Sequence, residues 1–198
     1  MGERTLANLT ENREPRRKLD DVWERDFVDT CLEEGLWNFA FRSVALSFSP
    51  SVSPAPFGYV NGFDKPTDFI RTAAVTTDEF FKIPLLEYQE EVGFWFAQVD
   101  LLYVRYVSND VEYGLDFSKW PRNFTRFSEH LLAYLTAPTI RGIEVDIKTI
   151  KEDLKEWRRK AKAVDAMEQP ARFAPPSSWT RSRQQRRGDR GNRSQLIG

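Results

Sequence analysis

The sequence predicts an α+β protein: a helical bundle body with a small antiparallel β-sheet insertion, then a long C-terminal helix followed by an extended tail. Three observations predict it. Apolar residues recur at helical spacing towards both ends of residues 1–169, and they alternate with period two within residues 39–107. Residues 170–198 show neither period and are rich in Pro, Ser, Arg and Gly. With 198 residues and 40% apolar content, the chain can fill one core and still carry extensions.

A short polar helix is expected at about residues 4–12, ahead of the breaker Glu14-Pro15 and the basic run Arg16-Arg17-Lys18. Residues 19–34 read as a helix, because Trp23, Phe27 and Cys31 recur every four residues with Val28 and Leu32 beside them. Asp20 and Asp21 in its first turn suit the helix dipole, and Gly35 is placed to end it.

Residues 39–48 read as a strand, and residues 49–57, with three prolines and three serines, as a loop. Residues 59–63 and 69–75 supply two further strands. In the turn between them, at residues 64–68, Pro66 fixes φ and Asp68 can cap backbone N–H groups. Residues 85–107 read as a three-stranded meander, with strands at 85–90, 94–99 and 101–107 and corners at 91–93 and Asp100. Leu86 and Tyr88, Phe94 and Phe96, then Leu102, Val104 and Tyr106 alternate with period two.

Pro121 sits where a helix begins, and residues 121–137 place Phe124, Phe127, Leu131, Tyr134 and Leu135 on one face before Pro138 ends the helix. A longer helix is expected at about residues 143–167. Ile143, Ile147, Ile150, Leu154, Trp157, Ala161 and Val164 follow heptad steps of four and three along it. Glu144 with Lys148, and Glu156 with Lys160, pair at i,i+4 on its exposed sides. So narrow a stripe packs against one neighbour: the helices of its own chain for most of its length, or a partner protein, whether a second copy or another chain. Trp157, in the later part, is the subunit-interface candidate, since large aromatic residues dominate interface energetics.

The formal net charge of −1 is unevenly spread. Residues 170–198 carry seven arginines against Asp189, a net +6, which leaves −7 on residues 1–169. Cys31 is the single cysteine, which excludes an intrachain disulfide framework and a cysteine metal site. No apolar targeting segment opens the sequence and no run reaches membrane-span length, so a soluble, intracellular chain is expected. Met1-Gly2 opens like a myristoylation signal, but Leu6 stands where Ser or Thr is needed. The sequons at Asn8 and Asn123 carry no weight without a secretory signal.

Catalytic residue types are sparse. His130, the single histidine, lies beside the Phe127/Leu131 face with no Cys or His partner for a metal and no nucleophile elbow to serve. The paired acids Asp20-Asp21, Glu33-Glu34 and Glu90-Glu91 point apart in helix or strand, so they preassemble no carboxylate pair. Gly188 and Gly191 follow no strand and open no helix, so they form no phosphate loop. No catalytic, metal or cofactor residue is expected.

A set of anchors keeps a fixed order along the chain. Trp37-Asn38-Phe39-Ala40 follows a helix, Arg42 and Leu46 lie in the next strand, and Tyr59 precedes the turn Pro66-Thr67-Asp68-Phe69-Ile70-Arg71. Trp120-Pro121 then precedes the penultimate helix. Across about residues 5–165 this pattern resembles the tail tubular protein A family of short-tailed bacteriophages, adaptors between head and tail. The family's small β insertion corresponds to residues 85–107.

The resemblance implies a non-enzymatic virion protein, assembled in the host cytoplasm and located in the neck. Such adaptors form a homo-oligomeric ring, usually of twelve copies, docked beneath the portal, with the tail nozzle or next tail protein below. Helices form the ring body, and the β part faces outward or toward the next ring. DNA passes through the lumen without sequence recognition, and no membrane is involved. Residues 1–169 are then the adaptor body and residues 170–198 a basic C-terminal arm that clasps the portal.

The candidate portal-binding residues of the arm are the apolar anchors Phe173, Trp179, Leu196 and Ile197 with Arg181, Arg183, Arg186, Arg187, Arg190 and Arg193. Two other readings stay open: a solvated linker, and a nucleic-acid-binding arm whose guanidinium groups hold phosphate. A channel through which DNA slides gains nothing from a strong grip, which favours the portal. Trp37, Phe39, Tyr59, Pro66, Asp68, Arg71, Trp120 and Pro121 are expected as structural anchors. Trp37 and Phe39 are expected in the core at the helix-to-strand junction, the alternative being a contact across subunits. Cys31 reads as a small core hydrophobe.

Overall fold

Pro15 begins the first helix instead of barring it. In the computed structural model, α1 spans Glu14–Glu24 with Pro15 buried in its first turn, where a missing backbone N–H costs nothing. Residues 14–25, 27–49, 58–141 and 146–168 are described, all within the compact unit Met1–Glu168. The expected helix at 4–12, residues 50–57 of the loop, Ile143, Glu144 and the arm at 170–198 lie outside the described residues.

The helix expected over residues 19–34 is two helices. α1 ends at Glu24 and α2 spans Phe27–Glu33. Asp20 and Asp21 therefore do not sit in a first turn; they brace α1 through i,i+4 pairs with Arg16 at 3.2 Å and Arg25 at 2.9 Å. The break takes Trp23, 43% exposed, off the apolar stripe, while Phe27, Val28, Cys31 and Leu32 stay buried. Gly35 follows α2 for a reason of space. A Cβ there would lie 2.9 Å from the Trp37 indole, which packs directly on its backbone.

A single 3₁₀ turn, Asn38–Ala40, leads into β1 (Phe41–Ser47). The remaining strands are β2 (Asn61–Asp64), β3 (Phe69–Thr76), β4 (Tyr88–Glu91), β5 (Phe94–Ala97) and β6 (Leu101–Ser108). They form two antiparallel sheets, ordered β1-β6-β3 and β2-β5-β4. The meander expected over residues 85–107 is therefore split: β4 and β5 pair, but β6 crosses to the other sheet.

Burial explains the split. Leu102, Val104 and Tyr106 of β6 are fully buried, and so is Val107 on its opposite face, so β6 needs the middle of a covered sheet. β5, with Trp95, Phe96 and Ala97 all buried, needs the middle of the other. A three-stranded meander would have left β6 on an edge. The first expected strand also shortens to Tyr88–Glu91, leaving Leu86 84% exposed.

The two sheets pack face to face around Phe63, Val75, Trp95, Leu102, Val104 and Tyr106. Flanking loop residues link their edges: Ser49, just past β1, donates its N–H to the Gly62 carbonyl of β2 at 2.7 Å, and Leu85, ahead of β4, donates to the Val75 carbonyl of β3 at 2.9 Å. The result is a barrel-like arrangement of two separate three-stranded sheets with a core of its own. Register gives it two distinct poles. Phe41 opposes Val107 at the pole next to the helices, whereas Ser47 opposes Leu101, and Asn61 and Tyr88 both oppose Ala97 at the other. The β1–β2, β3–β4 and β5–β6 connections all emerge at that far pole.

α3 spans Arg122–Arg141 and α4 spans Ile147–Glu168. Pro138 does not end α3 as expected. It stands in the last turn, where it removes one backbone bond only, and Lys18 Nζ donates to the nearby Thr139 carbonyl at 2.7 Å. α4 begins at Ile147, later than the expected residue 143, because Asp146 caps it: its carboxylate accepts the backbone N–H groups of Lys148 at 3.2 Å and Thr149 at 3.3 Å. The heptad stripe packs on α3 of the same chain, with Leu154 and Ala161 buried. Leu135 is 41% exposed, so the buried face of α3 centres on Phe124, Phe127 and Leu131.

Phe124 joins α3 to everything around it. Truncation by Phe124→Ala is expected to lower unfolding free energy by about 3–5 kcal/mol, whereas Leu135→Ala on the same helix changes it by about 0.5 kcal/mol or less. Equilibrium urea unfolding of the two variants checks the contrast.

Candidate functional site

Five aromatic rings converge where helix gives way to strand. Trp37, 1% exposed, donates its indole N–H to the Cys31 carbonyl at 3.1 Å and meets Phe124 edge-on at 4.8 Å between ring centres. Phe124 also receives Phe39 at 4.7 Å and Trp120 at 4.7 Å, both edge-on, and Phe127 stacks on Trp37 at 6.1 Å. Trp120 donates its indole N–H to the Gly114 carbonyl at 2.9 Å, and the Pro121 carbonyl accepts the Thr125 N–H at 2.9 Å to open α3. Gly114 is required by close approach: a Cβ there would lie 2.2 Å from the Ser108 carbonyl oxygen.

The same junction is tied to α4 by polar groups. Asn38 N–H donates to the Asp165 carboxylate at 2.9 Å, and the Asn38 side-chain amide donates to the Asp165 carbonyl at 2.6 Å. Burial pushes the Asp165 carboxyl up, against the pull of the Asn38 N–H, and Glu168 adds to the rise. A cleft of about 10 Å³ at this seam, lined by Trp37, Pro121, Phe124, Ala161 and Asp165, has room for a single water.

Asp68 is the second focus, and it does more than cap a turn. Its carboxylate gathers side-chain donors, Tyr106 Oη at 3.0 Å, Arg42 Nη1 at 3.0 Å and the Ser108 hydroxyl, beside a backbone N–H, its own. Arg42 reaches Asp110 as well, at 3.3 Å, and lies over the Tyr113 ring at 5.5 Å. Burial raises the Asp68 carboxyl, but the hydrogen bonds from Ser108, Arg42 and Tyr106 outweigh it and hold the group below its ordinary value. Tyr106 moves the other way: burial first, then the Asp68 carboxylate, keeps its phenol protonated far above the usual range. The turn itself closes through Phe69 N–H to the Pro66 carbonyl at 3.1 Å.

Arg71 donates to the Glu33 carbonyl at 3.1 Å, placing a cation on the C-terminal end of α2. Tyr59 is half-buried just before β2, after Gly58 at φ +83°. Trp157 is used inside the chain: its ring stacks on His130 at 6.0 Å and carries the Lys160 ammonium at 4.6 Å. Lys160 also pairs with Glu156 at 2.6 Å, the expected i,i+4 partner. Burial drives the Cys31 thiol up to about 12, so it stays neutral in the core. The arm residues Phe173, Trp179, Arg181 to Arg193, Leu196 and Ile197 lie outside the described residues.

Trp37, Phe39, Asp68, Arg71, Trp120 and Pro121 are thus brought together as one frame, while Tyr59 lies apart from it just before β2. Sequence reasoning missed several members of the frame. Tyr106 read as an apolar period-two residue; only its hydroxyl, at the end of a buried strand, makes it a partner of Asp68. Ser108-Asn109-Asp110, a polar cluster directly after that strand, was a usable signal for a side-chain network. Asp165 was visible as an acid breaking the apolar margin of the heptad. Among the described residues, no three His, Cys, Asp or Glu side chains gather as metal ligands, and no helix is long and apolar enough to cross a membrane. Compared with known proteins, the chain matches no family model and no curated sequence.

The two acids, Asp68 half-buried and Asp165 buried, carry opposite pH signatures. Asp68, held low, stabilises the fold above the ordinary carboxylate value, and that contribution is lost as pH falls through its folded value. Asp68→Asn should cost about 1–3 kcal/mol at pH 7 and flatten the loss of stability below about pH 4. Asp165, held high, contributes stability at low pH that fades as pH rises through its folded value. Asp165→Asn keeps the acceptor for Asn38 and is expected to be nearly neutral at pH 7, while Asp165→Leu strands that N–H and costs about 1–3 kcal/mol. Urea titrations at pH 3 and pH 7 distinguish all three.

Proposed function

We propose that this chain is a structural adaptor of a tailed-bacteriophage neck, forming a ring beneath the portal through which DNA passes. The observation that carries the reading is the ordered set Trp37, Phe39, Arg42, Asp68, Arg71 and Trp120. The residues that make the resemblance are also those whose contacts fix α2, β1, β3, β6 and α3 against one another. A frame of this kind serves shape: its polar members are consumed by one another, and its cleft holds no more than a water.

The mechanism is assembly by contact. Each protomer brings a folded α+β body, and subunit interfaces, with the exposed part of Trp157 a candidate among them, close the ring. The arm at 170–198 orders on the portal, which costs about 1–2 kcal/mol of backbone entropy per residue and so demands many contacts. Coupling that cost to the portal surface makes assembly sequential: the free chain stays a monomer, and the ring forms on its template. A second reading, a nucleic-acid-binding protein, is favoured by one observation, the +6 charge of the arm.

Truncation after Glu168 separates the two. In the adaptor, the truncated chain melts at the same temperature as the full chain but no longer binds recombinant portal, and phage particles carrying it accumulate as tailless heads. A nucleic-acid-binding protein instead loses DNA affinity that falls steeply with salt. Trypsin cleavage within residues 170–198 should slow when portal is added. A free dodecamer whose arm already resists trypsin would sink the sequential scheme.

A further inference from the structure

The connections at the far pole of the barrel share a property that their separate sequences do not suggest. Phe48 is 51% exposed, Leu101 42% and Val60 69%, and the β3–β4 loop adds Phe80 at 66%, Ile83 at 70% and Leu86 at 84%. Pairing register gathers them, because Ser47 opposes Leu101, Thr76 opposes Tyr103, and Asn61 and Tyr88 both oppose Ala97. Large apolar side chains scattered singly over a surface need no explanation; a set gathered on one small pole does.

The β3–β4 loop is built to hold them outward. The Asp78 carboxylate accepts the Phe80 N–H at 3.3 Å and the Lys82 N–H at 3.2 Å, and Thr76 Oγ1 donates to the Asp78 carbonyl at 2.7 Å. Phe81 takes a left-handed backbone, φ +55°, uncommon for a bulky residue, and its ring lies under the Arg105 guanidinium at 4.4 Å. Phe81 is thereby turned in while Phe80 and Ile83 are turned out. Among the described residues, the charges around them are Asp78, Glu79, Glu87 and Asp100 against Lys82 and Arg105, so the apolar pole keeps an acidic excess.

We propose that this pole docks a protein other than this chain, one that presents an apolar patch bordered by Lys and Arg. Charge complementarity favours such an occupant over a second pole or an anionic surface. Two copies meeting pole to pole would bring their acids face to face, and an anionic lipid surface would meet the same repulsion. The inference rests on the adaptor reading and deepens it by naming the face and the chemistry of the partner.

The test uses the full chain against each recombinant structural protein of the virion that contains it, immobilised one at a time. The variants are Ile83→Ser/Leu86→Ser, Glu79→Lys/Glu87→Lys, and, as a control on α4, Met167→Ser, which is 82% exposed. One virion protein is expected to bind wild type and Met167→Ser equally. Ile83→Ser/Leu86→Ser should weaken that binding roughly thirtyfold or more, and the charge reversal about tenfold, mostly in association rate. Melting temperatures should not change, since the substituted side chains are in water.

Equal binding by the pole variants overturns the inference, as does failure of every virion protein to bind. Self-association of wild type that Ile83→Ser/Leu86→Ser abolishes in sedimentation velocity assigns the pole to a second copy and also overturns it. Pole-dependent binding to phosphatidylserine vesicles does the same. Mass spectrometry of purified particles keeps the two claims apart: absence of the chain removes the adaptor reading and this inference together, whereas presence with indifferent pole variants removes the inference alone.

Discussion

The indole of Trp37 holds the molecule together at the point where its two layers meet. Its N–H is taken by the last full turn of α2, at the Cys31 carbonyl, and its faces by Phe124 and Phe127 of α3. Gly35 has no side chain so that the ring can lie on the backbone. The next residue, Asn38, then binds α4 through Asp165. Three helices are thus referenced to the pair Trp37 and Asn38, and β1 begins just beyond it, after Phe39 and Ala40.

A polar counterpart fixes the sheet to the same point. Asp68 gathers Tyr106 and Ser108 from β6 and Arg42 from β1, while Arg71, three residues on, reaches the end of α2. A carboxylate with this many donors costs little to bury and much to disturb, because each donor would be left unpaired without it. The aromatic and polar sets therefore act on opposite sides of β1, one towards the helices and one towards β3 and β6.

With that junction rigid, the two ends of the body are free to differ. The helical end is held by its own packing, with Leu154 and Ala161 of α4 buried against the rest of the helices while Trp23, Leu135 and Met167 stay exposed. The far end of the barrel is left apolar and acid-rimmed.

Periodicity made much of the secondary structure legible: the helical stripe on Phe27, Cys31 and Leu32, the alternation along Leu102, Val104 and Tyr106, and the heptad on Leu154 and Ala161 each became a buried face. The anchors Trp37, Asp68 and Trp120 were also visible as residue types that pin a chain. Local chemistry misled where position within an element mattered. Pro15 and Pro138 read as breakers, but a proline in a first turn forfeits no bond, α3 bears the loss of one bond at Pro138, and the break between α1 and α2 had no such marker. Sheet membership was beyond local reading altogether. Whether β6 pairs with β5 or crosses to β1 and β3 depends on which faces the helices and the opposite sheet cover, and that is a property of the assembled layers. The donors around Asp68 and the apolar pole belong to the same class: residues 42, 68, 106 and 108, or 48, 60, 83 and 101, become neighbours only through strand register, which sequence spacing does not encode.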